Sequence, residues 1–109
     1  MEDLYAYDID GVLSAGAEIK TPYVVISGRT FAEYDVFARQ LAQDAPVYIR
    51  GSGAYGDHKA AGEFKAMMIK HLGVTEFHED HPLQIEIIRR SCPACKIVEY
   101  PRQVDGSAK

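Results

Sequence analysis

Apolar residues along the first half of the chain fall into short runs broken by glycine, proline and acids, and these runs alternate with stretches of helical spacing. Leu4 to Tyr7 is the first run. It ends on Asp8-Ile9-Asp10-Gly11, two carboxylates one residue apart and then a glycine that offers a strand its sharp exit. Pro22 to Ser27 is a second, β-branched run that ends in Gly28-Arg29-Thr30. Thr30 and Glu33 stand at capping-box spacing, and Phe31, Tyr34, Phe37, Ala38 and Leu41 recur at helical intervals, so the pattern predicts a helix from Thr30 to Gln43. Ala45-Pro46 breaks it, and Val47-Tyr48-Ile49 reads as a third strand.

The second half repeats the alternation. Glu63 to Leu72 is helical by spacing, with Phe64, Met68 and Leu72 on one stripe, Gly62 marking the start and Gly73 the end. That start puts Lys65 in the first turn, where a cation opposes the helix dipole; such a broken local rule marks a candidate functional position. Val74 to His78 is a fourth, weaker strand. Pro82, with Asp80 or His81 as cap, opens a helix through Arg90 that carries Leu83, Ile85, Ile87 and Ile88. Lys96 to Tyr100 is a fifth strand, and Gln103 to Lys109 reads as a flexible tail. Strands alternating with helices over short connections imply a single α/β domain over residues 1–102. The expected architecture is three-layered and Rossmann-like, with a central five-stranded, mainly parallel sheet between helices. Ser14 to Lys20 is too short to hold an inserted cap domain.

Composition narrows the partners. With 109 residues and 47% hydrophobic content the chain can build one small core. Twelve Lys and Arg stand against 16 Asp and Glu, a formal charge of -4, so there is no basic surface of the kind nucleic-acid binders carry. No apolar run approaches the roughly 18 residues of a membrane span, and the N-terminus carries acids where a signal peptide needs bases. A cytoplasmic protein that does not engage membranes is expected. Cys92-Pro-Ala-Cys95 lacks the second ligand pair that a structural zinc site needs, and it precedes the last strand rather than opening an early helix. Ordinary thiols at a helix-to-strand junction are expected there.

Two motifs compete for the chemistry. Gly51-Ser-Gly-Ala-Tyr-Gly56 satisfies Gly-x-Gly-x-x-Gly after a predicted strand, with Glu79 and Asp80 downstream as in a dinucleotide site. It is followed by Asp57, His58, Lys59 and Gly62, a poor helix start, so a flexible loop is the better reading and a dinucleotide-binding module the alternative. The other motif is Asp8-x-Asp10-Gly11. It is no calcium loop, because the twelfth position that should be Glu is Ile19. His58, His71, His78 and His81 do not suggest a metal set, although His81 adjoins Asp80.

Asp8 and Asp10, Ser27-Gly28-Arg29, Lys65, and Glu79-Asp80 fall in sequence at predicted strand ends or helix starts. In this order they resemble the motifs of the haloacid dehalogenase (HAD) superfamily of phosphotransferases, and the segment from Glu63 to Pro82 looks like its small capless members. The resemblance spans roughly residues 4–100. It implies that the first strand lies between the second and fourth, so that Asp8, Ser27 and Asp80 meet on adjacent strands about 4.8 Å apart. It also implies a phosphatase requiring Mg²⁺, with Asp8 as nucleophile and metal ligand and Asp80 as a further ligand supported by Glu79. Asp10 would be acid and base, giving the metal a main-chain carbonyl, while Ser27 and Lys65 hold the transferring oxygens. Lys59 is an alternative to Lys65. Ser27-Gly28-Arg29 resembles polynucleotide 3′-phosphatase domains, where Arg29 would bind phosphate as a planar fork. The implied partner is a phosphorylated small molecule or nucleic-acid end. Without a cap, the open cleft is expected to be covered by a large substrate or a second copy in a homo-oligomer. A non-catalytic phosphate-binding domain is a further alternative, but the receiver type carries an aspartate after its third strand, where Ile49-Arg50-Gly51 supplies none.

Overall fold

Residues 2–54 and 56–102 are described by the structure, a computed structural model, so the expected tail at 103–109 lies outside the described residues. Five strands, β1 (Tyr5–Tyr7), β2 (Tyr23–Thr30), β3 (Val47–Gly51), β4 (Glu76–Glu79) and β5 (Lys96–Glu99), form one sheet in the order β3-β2-β1-β4-β5. All four neighbouring pairs are parallel. Three α-helices, α1 (Val36–Ala42), α2 (His58–Leu72) and α3 (Pro82–Ser91), cover its faces.

Side-chain alternation along the strands divides the core. Ala6, Val24, Ile26 and Phe77 turn to one face and pack with Ala66 and Ile69 of α2 and Ile88 of α3. Tyr7 and Val25 turn to the other, where Ile9, Val12 and Ala38 and Ala42 of α1 complete a second cluster. The chain is therefore a three-layer α/β domain of Rossmann-like form. Sequence order reverses where β3, at one edge, hands over through α2 to β4 on the far side of β1. Ligands of open α/β sheets bind outside the strand ends at such a switch point.

Two helices depart from the pattern read along the chain. β2 runs on to Thr30, and the Thr30–Glu33 capping box closes a single 3₁₀ turn, Phe31–Glu33, rather than a long helix. α1 begins only after Asp35, whose carboxylate accepts from the Ala38 N–H. Phe31 and Phe37, read as one side of an amphipathic helix, are 77% and 55% exposed. α2 begins at His58, because Asp57 caps it through the Ala60 N–H. Gly62 lies inside it, not at its start. A Cβ there would stand 3.1 Å from Ile87 and 3.2 Å from the Gln84 Cα, so the glycine serves the close approach of α2 to α3. Lys65 accordingly sits mid-helix, away from the first turn where a cation would oppose the helix dipole. Gly73 ends α2 as expected, its N–H bonded to the Ile69 carbonyl.

Cys92 and Cys95 lie between α3 and β5, both as free thiols. Burial raises both, Cys95 to about 11, which is the opposite of a redox-active thiolate. Among the described residues no helix is long and apolar enough to cross a membrane.

Candidate active site

β1 and β4 pair in register, Tyr7 opposite His78, and the ladder continues as the Asp8 N–H donates to the His78 carbonyl at 3.2 Å. The last residue of β4 and the residues just beyond β1 and β4 therefore lie side by side at the sheet's edge. Asp8, Glu79 and Asp80 each bring a carboxylate oxygen within 4.8 Å of the others. Asp8 and Glu79 are buried, and Asp80 is partly so. Gly11 makes this convergence sterically feasible, since it adopts φ 79° and a Cβ on it would lie 2.1 Å from Asp80 Oδ2. Gly11→Ala should displace the Asp80 carboxylate and cost about 1–2 kcal/mol for the left-handed backbone alone. A urea midpoint equal to the parent's would show that Asp80 has free room there.

Lys65 enters this cluster from α2. Its ammonium lies 2.7 Å from Glu79 Oε1, 3.2 Å from Asp8 Oδ1 and 2.5 Å from Gln84 Oε1 of α3. Only 2% of the residue is exposed, so these three acceptors use its three donors. Lys59, its alternative, is exposed on the first turn of α2. The charges do not balance: three carboxylates face one ammonium. Burial, and then Glu79, push the Asp8 carboxyl well above its usual range in spite of Lys65. Burial, and again Glu79, raise Asp80 to about 6. Burial works against the charged form of Lys65, but Asp8 and Glu79 outweigh it and raise its pKa. All three directions state that the cluster favours one more positive charge, as a proton or as a cation held by oxygen ligands. The donor set thus fits a hard divalent cation. Glu79, expected to stand behind Asp80, belongs to the converging trio itself.

The other expected residues lie apart from this centre. Asp10 directs its carboxylate to Arg29, which grips it with Nε at 3.0 Å and Nη2 at 2.7 Å. Arg29 also donates to the Glu33 carbonyl, so its planar fork is already engaged. Ser27 is wholly buried and does not line the cavity; its hydroxyl accepts from the Arg29 N–H at 3.1 Å and shapes the backbone there. Gly28 does reach the wall. The cavity, of about 610 Å³, spans the ends of β1, β2 and β4 and the start of α2.

Three residues on its wall, Arg50, Gln84 and Arg102, were not anticipated. Arg50 donates to the carbonyls of Gly28, Ser52 and Ala54 and so wraps the glycine-rich loop around itself. That loop does precede a helix, contrary to expectation. Yet its carbonyls turn to a guanidinium, the Asp57 carboxylate occupies the helix start, and β3 and β4 are separated by two strands. None of this suits a dinucleotide's pyrophosphate. Gln84 had a legible signal, because it stands four residues before buried Ile88 on the inward stripe of α3.

His81 and His58 also line the cavity, with rings stacked at 3.9 Å. Burial, then His58 and Arg102, lower His81 to about 4, and its Nδ1 is buried without a partner among the described residues. His78 is instead held between Glu76 at 2.7 Å and Tyr100 at 3.0 Å. No protein-family model, curated protein or solved structure matches the chain.

Proposed function

We propose that this chain is a capless, HAD-like phosphomonoester hydrolase that works with Mg²⁺ through an aspartyl-phosphate. The observation that carries the reading is the meeting of Asp8, Glu79 and Asp80 around Lys65 at the sheet's switch point. Bound there, the cation would supply charge neutralisation for a dianionic phosphoryl group approaching three carboxylates.

The chain's own residues divide the remaining work. Asp8, whose Oδ1 is fixed by Lys65, is the nucleophile: its oxygen bonds to phosphorus as the ester oxygen leaves. Asp10 gives the leaving oxygen a proton and later removes one from the water that hydrolyses the acyl phosphate. Both of its oxygens are held by Arg29, so it takes up this role when the fork exchanges a carboxylate for the incoming phosphate. Lys65 keeps the buried carboxylates from repelling one another; with three acceptors already in place, its contact to the phosphoryl oxygens requires release of one of them.

Hydrolysis of a panel of phosphomonoesters, with and without Mg²⁺, tests the reading. Activity that requires the metal supports it; binding of phosphate with no turnover on any of the panel points to a non-catalytic phosphate-binding domain. The cavity is open, so phosphorylated oligonucleotides belong in the panel beside sugars and nucleotides, with light scattering to detect a second copy covering the site.

The same site predicts how stability follows pH. Asp8 and Asp80 have folded-state pKa values raised above those of an unfolded chain, so their contribution is full below the unfolded value and is lost as pH rises through the folded one. For Asp80 that window runs from 3.8 to about 6. The metal-free protein is expected to melt at falling temperatures across it, relative to Asp80→Asn. Mg²⁺ should restore the loss above the window and do little below it. An unchanged melting temperature on adding Mg²⁺ at neutral pH removes the cation from the site.

A further inference from the structure

The Lys65 ammonium can only donate hydrogen bonds, and this fixes a chain of groups from the buried cluster to the cavity wall. The Gln84 atom that meets it at 2.5 Å is the carbonyl oxygen. The other arm of that amide is then the NH₂ group, which only donates, and it lies 3.1 Å from His58 Nδ1. His58 Nδ1 therefore carries the lone pair, and in the neutral ring the proton sits on Nε2. Burial, then the charges of Arg102 and Lys65, lower the His58 pKa, a shift in favour of the neutral ring. His81 stacks on its face, and Nε2 has no hydrogen-bond partner among the described residues. Gln84 itself is 5% exposed, held beside Lys65 by the close packing of α2 on α3 over Gly62.

We propose that Gln84 is a positioning residue that locks His58 into its Nε2–H tautomer, and that His58 uses this N–H to bind a phosphate oxygen in the cavity. The identity of the anion rests on the hydrolase reading; the tautomer does not. A neutral donor suits this site. It offers a hydrogen bond to an oxyanion without a cation that the neighbouring carboxylates would capture.

Long-range ¹H–¹⁵N spectra of the imidazoles at neutral pH test the chain directly. The parent should show His58 as a single Nε2–H tautomer, and Gln84→Met, circular dichroism permitting, a mixture. Inorganic phosphate added with Mg²⁺ should shift the Nε2 signal. His58→Phe, which keeps a ring against His81 but loses the donor, should weaken phosphate binding about tenfold, near 1.4 kcal/mol. A parent spectrum with the proton on Nδ1, or with both tautomers, overturns the inference even if Gln84→Met fails to fold. So does a pure Nε2–H tautomer in folded Gln84→Met, or parent-like phosphate affinity in His58→Phe. Absence of turnover with all these signals intact counts against the hydrolase alone.

Discussion

Asp8→Asn is expected to remove phosphatase activity by at least about 10³-fold while the protein stays folded. The amide keeps the shape of the carboxylate and can still accept from Lys65, but it cannot attack phosphorus. The fold should tolerate the change, because the substitution takes one negative charge from a cluster that holds three against one ammonium. Burial and Glu79 already favour the uncharged form of Asp8, which the amide imitates. Melting temperature and initial rates measured on the same preparation separate the two effects. Activity that survives in a folded Asp8→Asn protein ends the aspartyl-phosphate mechanism and moves attention to Glu79 or Asp80.

Lys65→Met should have the largest effect on stability, with the opposite electrostatic sign. It removes the cation among the buried carboxylates of Asp8 and Glu79 and leaves the Gln84 carbonyl without its donor. Breaking a buried pair by deleting one partner costs about 3–5 kcal/mol, against the roughly 5–15 kcal/mol that holds a small domain together. Urea titration should show a much lower midpoint at neutral pH, with part of the loss recovered in mild acid, where Asp8 can take up a proton. Parent-like unfolding of Lys65→Met would mean that the carboxylates are compensated by something other than this lysine.

How far the chain could be read differs from element to element. The first strand and its two acids were legible because an apolar run, a glycine and the acids all lie within a few residues of one another. Pro82 at the start of α3 and Gly73 at the end of α2 were legible for the same reason, since capping and turn chemistry act over four residues or fewer. Lys65 was singled out from a misplaced helix start, and what places it among Asp8, Glu79 and Gln84 is its position in the middle of α2. Gly62 looked like a boundary, whereas its lack of a side chain answers α3 rather than its own helix. The helix expected from Thr30 failed because a real capping box closed only one turn, and β2 had already claimed Thr30 for the sheet.

The candidate site divides in the same way. Which residues are candidates for chemistry could be taken from their type and their place at strand ends. Which of them meet could not, because this depends on strand order, on register and on how closely two helices pack. Asp10 stands two residues from Asp8 yet is drawn off by Arg29, whereas Glu79 and Gln84, far along the chain, close on Lys65. By itself, the sequence determined a parallel α/β frame and the acids at its strand ends, since period, caps and turns are short-range. Only the tertiary structure decided that Asp8 and Glu79, both buried, and Asp80, partly so, converge with one ammonium, because that excess of negative charge exists only once distant elements have brought the carboxylates together and taken water from around them.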